Sequence, residues 1–525
     1  MKQQRFDISF VIFSILVAIL GAIIGMQIIV TLGITPNTSI IGALIAILIA
    51  RIPMQLFYRY KSLENQNLLQ TTISSATFGA ANSLLIPIGL PFVLGRPDLI
   101  IPMLIGAGIA LIIDALILYK VFDSKLFGAN EAWPPGVATA EALKAGDQGG
   151  KKAKFLGIGI AGGIAGAWAG IPMSAFGVAF IGNIWALSIF GIGLLIKGYS
   201  LPIFNVNLDD FYIPHGMMIG AGLVALIQFI TMITKDRKAR LEEVAATTVD
   251  EKWVNTRSEK EVTRAFGFGY LAFIGGALIV ALIGGLVSEL SFGQLLLFLL
   301  FAALAALVTQ IIVGVAAMHS GWFPAFAVTL ISLIVGMLLG FPPIALAFLV
   351  GYTAATGPAF ADLGYDFKSG VLIRKTTDIK KELYGRKMQL KSALIGLGVA
   401  IIMVACFHNV FFAQDLVPPV DRVYATTIEA GITGSAGMYL LLWAIPGAFI
   451  QFIGGPKRQM GVLFATGLLI TFPIAGWAVL SGIVLRLIIL KVRGPEAEAA
   501  MFTTAAGFIA GDAIYSFFTS IWKAR

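Results

Sequence analysis

The chain begins with MKQQRFDISFVIFSILVAILGAIIG (Met1–Gly25), a short basic start that leads into a long, uninterrupted apolar run. The run is longer than the core of a secretory signal peptide, and no small-residue cleavage site follows it. A helix of this length and composition can cross a lipid bilayer. We therefore expect the first membrane helix here, with its basic N-terminal end in the cytoplasm.

Apolar runs of the same kind recur along the whole chain. Of its 525 residues, 58% are hydrophobic and 12% are charged, and the mean hydropathy is +0.90. The runs have the length of helices and differ from the short alternating strands of an outer-membrane barrel, and a helix satisfies its own backbone groups in lipid. The sequence thus predicts an all-α polytopic membrane protein with about 16 transmembrane or re-entrant helices.

One hydrophilic stretch, residues 235–264, divides the chain near its middle. It holds eight Lys or Arg and seven Asp or Glu, which is typical of a solvated linker. This predicts two transmembrane halves, 1–234 and 265–525, joined by a cytoplasmic linker. The halves echo each other: ATAEALKAGDQGG (138–150) and FADLGYDFKSG (360–370) each place an acid and a Leu before a Gly-ended turn. Such repeats indicate a secondary transporter with its site between the halves.

The formal net charge of +9 has an ordinary explanation in a membrane protein. Basic residues such as Lys2, Arg5, Arg51 and Arg59 fall at the ends of apolar segments that a simple zigzag places on one side. The positive-inside rule assigns that side to the cytoplasm. The excess charge therefore indicates cytoplasmic loops of a plasma-membrane protein, with no nucleic-acid partner.

Several kinds of chemistry find no support in the sequence. Cys406 is the single cysteine, and the three histidines show no HxxxH spacing, so neither a disulfide within the chain, nor a protein-made metal site, nor a cofactor is predicted. The phosphate-binding GxxxxGK[ST] pattern is missing, which favours an ion gradient as the energy source. The GxGD and HExxH patterns of intramembrane proteases are missing as well, so no enzyme is predicted. A passive channel stays open as an alternative.

Ionisable groups within apolar runs cost about 2.5–3.5 kcal/mol each to insert, so those present are paired or functional. The stretch GIGLLIKGYSLPIFNVNLDDFYIPHG (191–216) predicts a broken or re-entrant helix at which polar groups gather. Adjacent carboxylates beside a histidine suit proton coupling, whereas the alternative is a loop with solvated acids. The candidates here are Asp209, Asp210 and His215 for proton coupling and Asn205 for substrate binding.

A polar stripe marks the third apolar segment. Asn67, Gln70, Thr71 and Ser74 recur at helical spacing on one face, and such donors suit the carboxylate or amide of a substrate. The alternative is hydrogen bonding between helices. A second set, Glu141, Asp362 and Asp366, lies at the repeat-related positions beside Gly-ended turns. We expect these three acids to line the substrate site or its gate.

Several of these motifs resemble those of the oligopeptide transporter (OPT) family, which includes the yellow-stripe-like transporters. WPPGVATAEALKAGDQGG (133–150) is similar to the family's Pro-rich entry and Ala, Glu, Leu, Lys run, and ENQNLLQTTISSATFGAANSLLIPIGLPFVLG (64–95) is similar to an early segment. FADLGYDFKSG resembles the family's Gln-Asp-Leu-Lys-Thr-Gly turn. AAGFIAGDAIYS (505–516) resembles the closing helix, where Asp512 stands in place of a common Glu. The similarity runs from end to end.

The resemblance implies proton-coupled uptake of small peptides, peptide derivatives such as glutathione, or metal complexes of peptide-like chelators. It adds Asp512 to the proton-coupling candidates. The stretch VLIRKTTDIKKELYGRKMQ (371–389) departs from the family pattern, so a non-peptide organic solute remains an alternative substrate. The midchain linker and short N-terminus are typical of a prokaryotic member. The expected partners are the substrate, protons and the bilayer, with a homodimer as an open alternative.

Overall fold

The structure is a computed structural model that describes residues 8–33, 35, 38–51, 58, 60–147, 151–246, 255–321, 323–431 and 435–523. Within these ranges the chain is helical, and its strand-like pairing is limited to an isolated bridge between Phe122 and Phe127. The predicted all-α fold is confirmed. Lys2, Arg5 and Arg59, which support the predicted orientation, lie outside the described residues.

The described α-helices, numbered in chain order, are α1 (Ile8–Leu32), α2 (Thr38–Arg51), α3 (Leu63–Phe78), α4 (Ile86–Val93), α5 (Ile100–Val121), α6 (Pro134–Asp147), α7 (Lys151–Trp168), α8 (Met173–Ile181), α9 (Ile184–Phe204), α10 (Ile213–Ala246), α11 (Glu259–Ile283), α12 (Leu286–Glu289), α13 (Phe292–Ser320), α14 (Ala325–Leu338), α15 (Pro343–Ala355), α16 (Pro358–Arg374), α17 (Ile379–Phe412), α18 (Pro419–Ala430), α19 (Ser435–Arg458), α20 (Met460–Leu469), α21 (Pro473–Arg493) and α22 (Glu498–Lys523).

Ten helical stretches among the described residues are long and apolar enough to cross a membrane. Five shorter apolar helices, of 10–17 residues, accompany them. Large apolar side chains such as Phe292 and Trp522 are 84% and 80% exposed on the outside, as lipid contact requires. The polytopic prediction is confirmed, and the long and short apolar helices together come close to the predicted number of about 16. The long stretches are Ile8–Leu32, Leu63–Val93, Pro97–Val121, Ile184–Phe204, Glu259–Ile283, Phe292–His319, Pro343–Arg374, Ile379–Phe412, Ala436–Pro456 and Pro473–Arg493.

Helices α3 and α4 form one continuous span through a π-helical segment, Gly79–Leu85. Ser62 starts the span by accepting a hydrogen bond from the backbone N–H of Asn65. A π-helical segment makes i to i+5 hydrogen bonds and is found most often at functional sites. The segment contains Asn82, whose position becomes relevant below.

Helix α16 begins inside the protein. The chain breaks after α15 at Gly357, whose φ of 92° lies in the region that glycine adopts without strain. The Asp114 carboxylate, on α5, accepts hydrogen bonds of 2.9 Å from the backbone N–H groups of Gly357 and Phe360. These bonds satisfy donors that a buried helix start would otherwise leave unpaired. Every residue from Pro358 to Gly370 is therefore buried at no cost in free backbone donors.

A second helix start, that of α8, is satisfied in the same way. The Asp512 carboxylate, on α22, accepts a hydrogen bond of 2.5 Å from the backbone N–H of Ser174 and one of 3.1 Å from the Ser516 hydroxyl. Helix α22 packs tightly along α7, because a Cβ atom at Gly159 would lie 2.2 Å from the Thr504 carbonyl oxygen. Small residues therefore allow these two helices to approach closely.

The hydrophilic linker is described at both ends. Helix α10 continues to Ala246, and α11 starts at Glu259 with a capping box formed by Ser258 and Glu261. Residues 247–254, in the middle of the predicted linker, lie outside the described residues. The end of the linker is anchored, since the Arg257 N–H donates to the Asp123 carbonyl oxygen at 3.1 Å. The division into two repeated halves stays a prediction.

Candidate functional site

Two carboxylates, Asp362 and Asp366, lie one turn apart on the same face of α16. Their side chains are buried, with exposures of 3% and 0%. Residues four apart on a helix are neighbours in space, so the two acids form a pair. The chain thus places two carboxylates together inside its helical bundle.

Hydroxyl groups surround Asp362. Its Oδ1 lies 3.0 Å from Thr38 Oγ1, 3.3 Å from Ser39 Oγ and 3.0 Å from Ser74 Oγ, and its Oδ2 lies 2.9 Å from Ser74 Oγ. Thr38 and Ser39 are the first residues of α2, and Ser74 belongs to α3. Three helices therefore converge on this carboxylate.

Asp366 has amide and hydroxyl partners. Its Oδ1 accepts hydrogen bonds from Gln70 Nε2 at 2.5 Å and from Ser39 Oγ at 3.1 Å, while its Oδ2 has no hydrogen-bond partner among the described residues. Ser39 lies within hydrogen-bond distance of both acids and joins the pair into one cluster. One lone-pair face of the buried Asp366 carboxylate is therefore left without a donor.

The remaining members of the polar stripe on α3 support this cluster. The Asn67 side chain donates to Gln70 Oε1 at 3.1 Å and to Ser369 Oγ at 2.8 Å. Gln389, on α17, donates to the Asp366 carbonyl oxygen at 2.6 Å and to Thr71 Oγ1 at 3.4 Å. The structure brings together all six predicted residues of these two helices. Their contacts are hydrogen bonds between helices, as the structural alternative expected, and Gln70 and Ser74 reach the carboxylates. The six are Asn67, Gln70, Thr71, Ser74, Asp362 and Asp366.

No Lys or Arg of the described chain forms an ion pair with either carboxylate. Lys368, on the next turn of α16, donates instead to the carbonyl oxygens of Ala129 and Glu131, both at 2.8 Å. A buried ionised carboxylate needs a compensating charge or proton. The pair is therefore suited to receive a positive charge from outside the protein.

A cavity of about 580 Å³ reaches the cluster at Asp362. Its wall draws on residues from both sides of the midchain linker. The Asn82 Oδ1 and Tyr365 hydroxyl atoms are buried and have no hydrogen-bond partner among the described residues. Pockets of this size, with a few polar groups in a mainly apolar lining, are typical of small-molecule sites. The polar lining includes Thr38, Asn82, Asn183, Asp362, Tyr365 and Arg458.

The residues predicted around the broken segment lie elsewhere. Asp209, with its side chain 47% exposed, pairs with Lys197 at 2.5 Å, and Asp210 accepts a hydrogen bond of 2.8 Å from Asn207. The two adjacent carboxylates thus have separate partners. Asn205 ends α9 with a left-handed backbone, φ 54°, which confirms a break in the helix here. The described lining of the cavity includes neither these three nor the residue next discussed.

His215 is buried at the start of α10, with its ring edge-on to that of Tyr212 at a centroid distance of 6.3 Å. Its Nδ1 atom has no hydrogen-bond partner among the described residues. Nothing given by the geometry joins it to Asp362. It forms a separate polar position next to the broken segment.

Two further predicted acids have other surroundings. Glu141, on α6, is 65% exposed and pairs with Lys144 at 2.9 Å. Helix α6 itself packs against α16, with Trp133 fully buried before its first turn. Asp512 caps α8, as described above, and is buried. Neither acid belongs to the carboxylate cluster.

The sequence alone did not identify Thr38, Ser39, Gln389 or Arg458. Thr38 and Ser39 look like ordinary helix-start residues, and Gln389 lies in a charged insertion that reads as a loop. Each becomes part of the site through a contact between distant parts of the chain. Only the helix-start pattern at Thr38 offered a local signal.

Comparison with known proteins adds the family. A model of the family described as OPT oligopeptide transporter protein matches residues 7–209 and 170–523, which together span nearly the whole chain. No curated protein and no solved structure matches it. The polytopic helical fold agrees with the function of that family, whose members carry their substrates across membranes. The chain therefore belongs to the OPT oligopeptide transporter family and is an integral membrane transporter.

Proposed function

We propose that this protein is a proton-coupled symporter of the plasma membrane that imports a small peptide or a peptide-like metal chelate. The substrate binds in the cavity beside Asp362, and the carboxylate pair carries the coupling charge. The N-terminus lies in the cytoplasm. The observation that carries this proposal is the buried Asp362–Asp366 pair, which has hydroxyl and amide donors but no basic partner.

The chemistry of the pair supports coupling. Two neighbouring carboxylates that both ionise repel each other, and burial strengthens the repulsion. A proton on one acid and a substrate ammonium beside the other would neutralise the pair. Asp362 contacts the cavity, whereas Asp366 lies behind it against Gln70. We assign the ammonium to Asp362 and the proton to Asp366.

Neutralisation provides a reason for movement. A ligand shifts a conformational equilibrium only through its different affinity for the two states. Proton and substrate together remove the charge that holds Thr38, Ser39 and Ser74 oriented towards α16. The cluster joins α2, α3 and α16, so a change in these hydrogen bonds alters how the three helices pack. Loading the site is thereby coupled to the inward transition.

The polar stripe acts in this proposal by positioning the acids. Gln70 and Ser74 orient the carboxylates, and Asn67 and Thr71 hold Gln70 and Gln389 in place. Asp209, Asp210, His215 and Asp512 are alternative proton carriers, and Glu141 and Asn205 are alternative contacts on the substrate's path. The assay described next ranks these alternatives.

The test is uptake of labelled peptides into proteoliposomes with and without an imposed proton gradient. We expect the gradient to drive accumulation in the wild type. Asp366→Asn should abolish gradient-driven accumulation and retain counterflow exchange, because exchange needs no net proton movement. Asp362→Asn should lower both activities. Asp98→Asn is the matched control, because Asp98 is 58% exposed and pairs only with its neighbour Arg96.

Three results would overturn the proposal. Accumulation that ignores the proton gradient would remove the coupling, and flux that never saturates would favour a channel. Uptake of a non-peptide organic solute without competition from any peptide would replace the substrate class. Loss of gradient-driven uptake in Asp209→Asn or Asp512→Asn, but not in Asp366→Asn, would move the proton to that acid.

A further inference from the structure

Opposite the carboxylate cluster, the cavity wall contains a sharp break in the helical chain. Helix α19 is interrupted at Gly455, with φ 72°, and α20 follows Gln459, whose φ is 50°. The intervening residues include Arg458, which lines the cavity. Irregular backbone at membrane depth is tolerated where it lines a cavity. The break therefore belongs to the cavity wall by its position.

A buried glutamine holds this break in place. Gln451 is 0% exposed, and its Oε1 accepts hydrogen bonds from the backbone N–H groups of Gly461 at 3.1 Å and Val462 at 3.4 Å. Its Nε2 donates to Gln228 Oε1 at 3.0 Å and to the Gly455 carbonyl oxygen at 3.4 Å. The first amides of α20 are thereby occupied by the protein. Arg458 is the donor that this segment leaves for the cavity.

The Arg458 guanidinium has no anionic partner. Its carbon lies 5.2 Å from the centroid of the Trp185 ring, and in the described chain it forms neither an ion pair nor a hydrogen bond. The ring supports the planar group while leaving its N–H edge unused, as cation–π contacts do. An unpaired guanidinium with five donors is a ready receptor for a carboxylate.

We propose that Arg458 binds the carboxylate of the substrate while Asp362 binds its ammonium group. The inference rests on the proposed function and gives the substrate a direction in the site. Asp362 and Arg458 line the same cavity yet form no ion pair with each other, so the charges stay available at separate places. Two fixed charges of opposite sign select a zwitterion, and they select one orientation of it. The ligand class is a linear peptide, or an amino-acid-like chelator, with both ends free.

The cavity suits such a ligand. Its volume of about 580 Å³ is within the usual range for sites that enclose small organic molecules. The Tyr365 hydroxyl and the Asn82 amide oxygen, both unpaired and buried, lie in the same wall and offer partners for a peptide group. The middle of a peptide would thus meet neutral polar groups, and its ends would meet the two charges.

The experiment measures binding of three ligands to the purified full-length protein by isothermal titration calorimetry. The ligands are trialanine, its C-terminal amide and its N-acetyl derivative. We expect the wild type to bind trialanine at least about tenfold more tightly than either derivative, because each derivative loses one charge-assisted contact. Arg458→Gln should abolish the preference for the free carboxylate but keep the preference for the free amine. Asp362→Asn should do the reverse.

Arg458→Lys is the matched variant, because it keeps the charge without the planar fork. It should recover part of the carboxylate preference. If Arg458→Gln weakens all three ligands equally, Arg458 acts on folding or on lipid headgroups and the inference fails. If the wild type binds trialanine and its amide equally, the inference fails while the proposed function stands. If the wild type binds none of the three and imports no peptide, the proposed function fails, and the inference fails with it.

Discussion

The Ser74 hydroxyl oxygen lies 3.0 Å from Oδ1 and 2.9 Å from Oδ2 of Asp362. A hydroxyl has a single hydrogen, so it can donate to one of these oxygens at a time. Ser74 is also 3.0 Å from Ser39 Oγ, which gives its hydrogen a third possible acceptor. The donors of the cluster can therefore be rearranged when the charge on Asp362 changes.

Replacing Ser74 tests this arrangement. Ser74→Ala removes a hydrogen bond to a carboxylate, which is worth about 1.5–3 kcal/mol. We expect gradient-driven peptide uptake to fall about tenfold or more, with little change in the melting temperature. The neighbouring Ser75→Ala is the control, because no hydrogen bond links Ser75 to the acids in the described chain. Equal uptake by the two variants would contradict a role for Ser74 in the site.

Asp114 should contribute to stability through the start of α16. Asp114→Ala leaves the buried N–H groups of Gly357 and Phe360 without an acceptor, at a cost of about 1–3 kcal/mol for each. We expect a clear drop in the melting temperature of the detergent-solubilised protein. Asp114→Asn keeps one acceptor oxygen and should recover most of the loss. Asp378→Ala removes an exposed helix cap and should cost about 1 kcal/mol, so an equal loss there would contradict the assignment.

A buried ion cluster should contribute more than any surface pair. Arg386 is 0% exposed and lies 3.4 Å from Asp123 and 3.2 Å from Glu382. Arg386→Leu leaves these two acids with fewer cationic partners, which typically costs about 3–5 kcal/mol. The matched variant Lys381→Leu breaks a pair that is 61% exposed on the lysine side and should cost at most about 1 kcal/mol. Thermal melting in detergent compares the two, and similar melting temperatures would disprove the difference.

Asp512 allows its capping contact to be separated from proton transfer. The side-chain oxygen of Asn can still accept the hydrogen bond from the Ser174 N–H, so Asp512→Asn should keep the melting temperature within a few degrees. If Asp366 carries the proton, gradient-driven uptake should also persist. Loss of that uptake together with intact counterflow exchange would assign the proton to Asp512.

Much of the site was predictable because helical spacing is a local property. The stripe Asn67–Ser74 and the pair Asp362–Asp366 follow directly from the period of the α-helix. What local spacing cannot give is which two helices meet. The hydrogen bond from Gln70 to Asp366 spans 296 positions of the sequence, and no pattern within either helix specifies it.

The roles of isolated acids were harder to predict. An aspartate within an apolar run signals that a partner exists but leaves the partner unidentified. For Asp114 and Asp512 the partners are backbone amides 243 and 338 positions away. Arg458 was missed for a related reason, because GGPKRQ (454–459) has the composition of an ordinary basic loop. Its importance comes from the cavity that distant helices form around it.

The two distant caps have a consequence for how the molecule is assembled. Asp114, before the midchain linker, completes a helix that follows it, and Asp512, after the linker, completes a helix that precedes it. Each part of the chain, expressed alone, would contain a buried helix start without its acceptor. Co-expressed as separate polypeptides divided between Ala246 and Asn255, the two parts should find each other and form one transporter. The peptide bond between them is thus less important than the mutual exchange of two carboxylates.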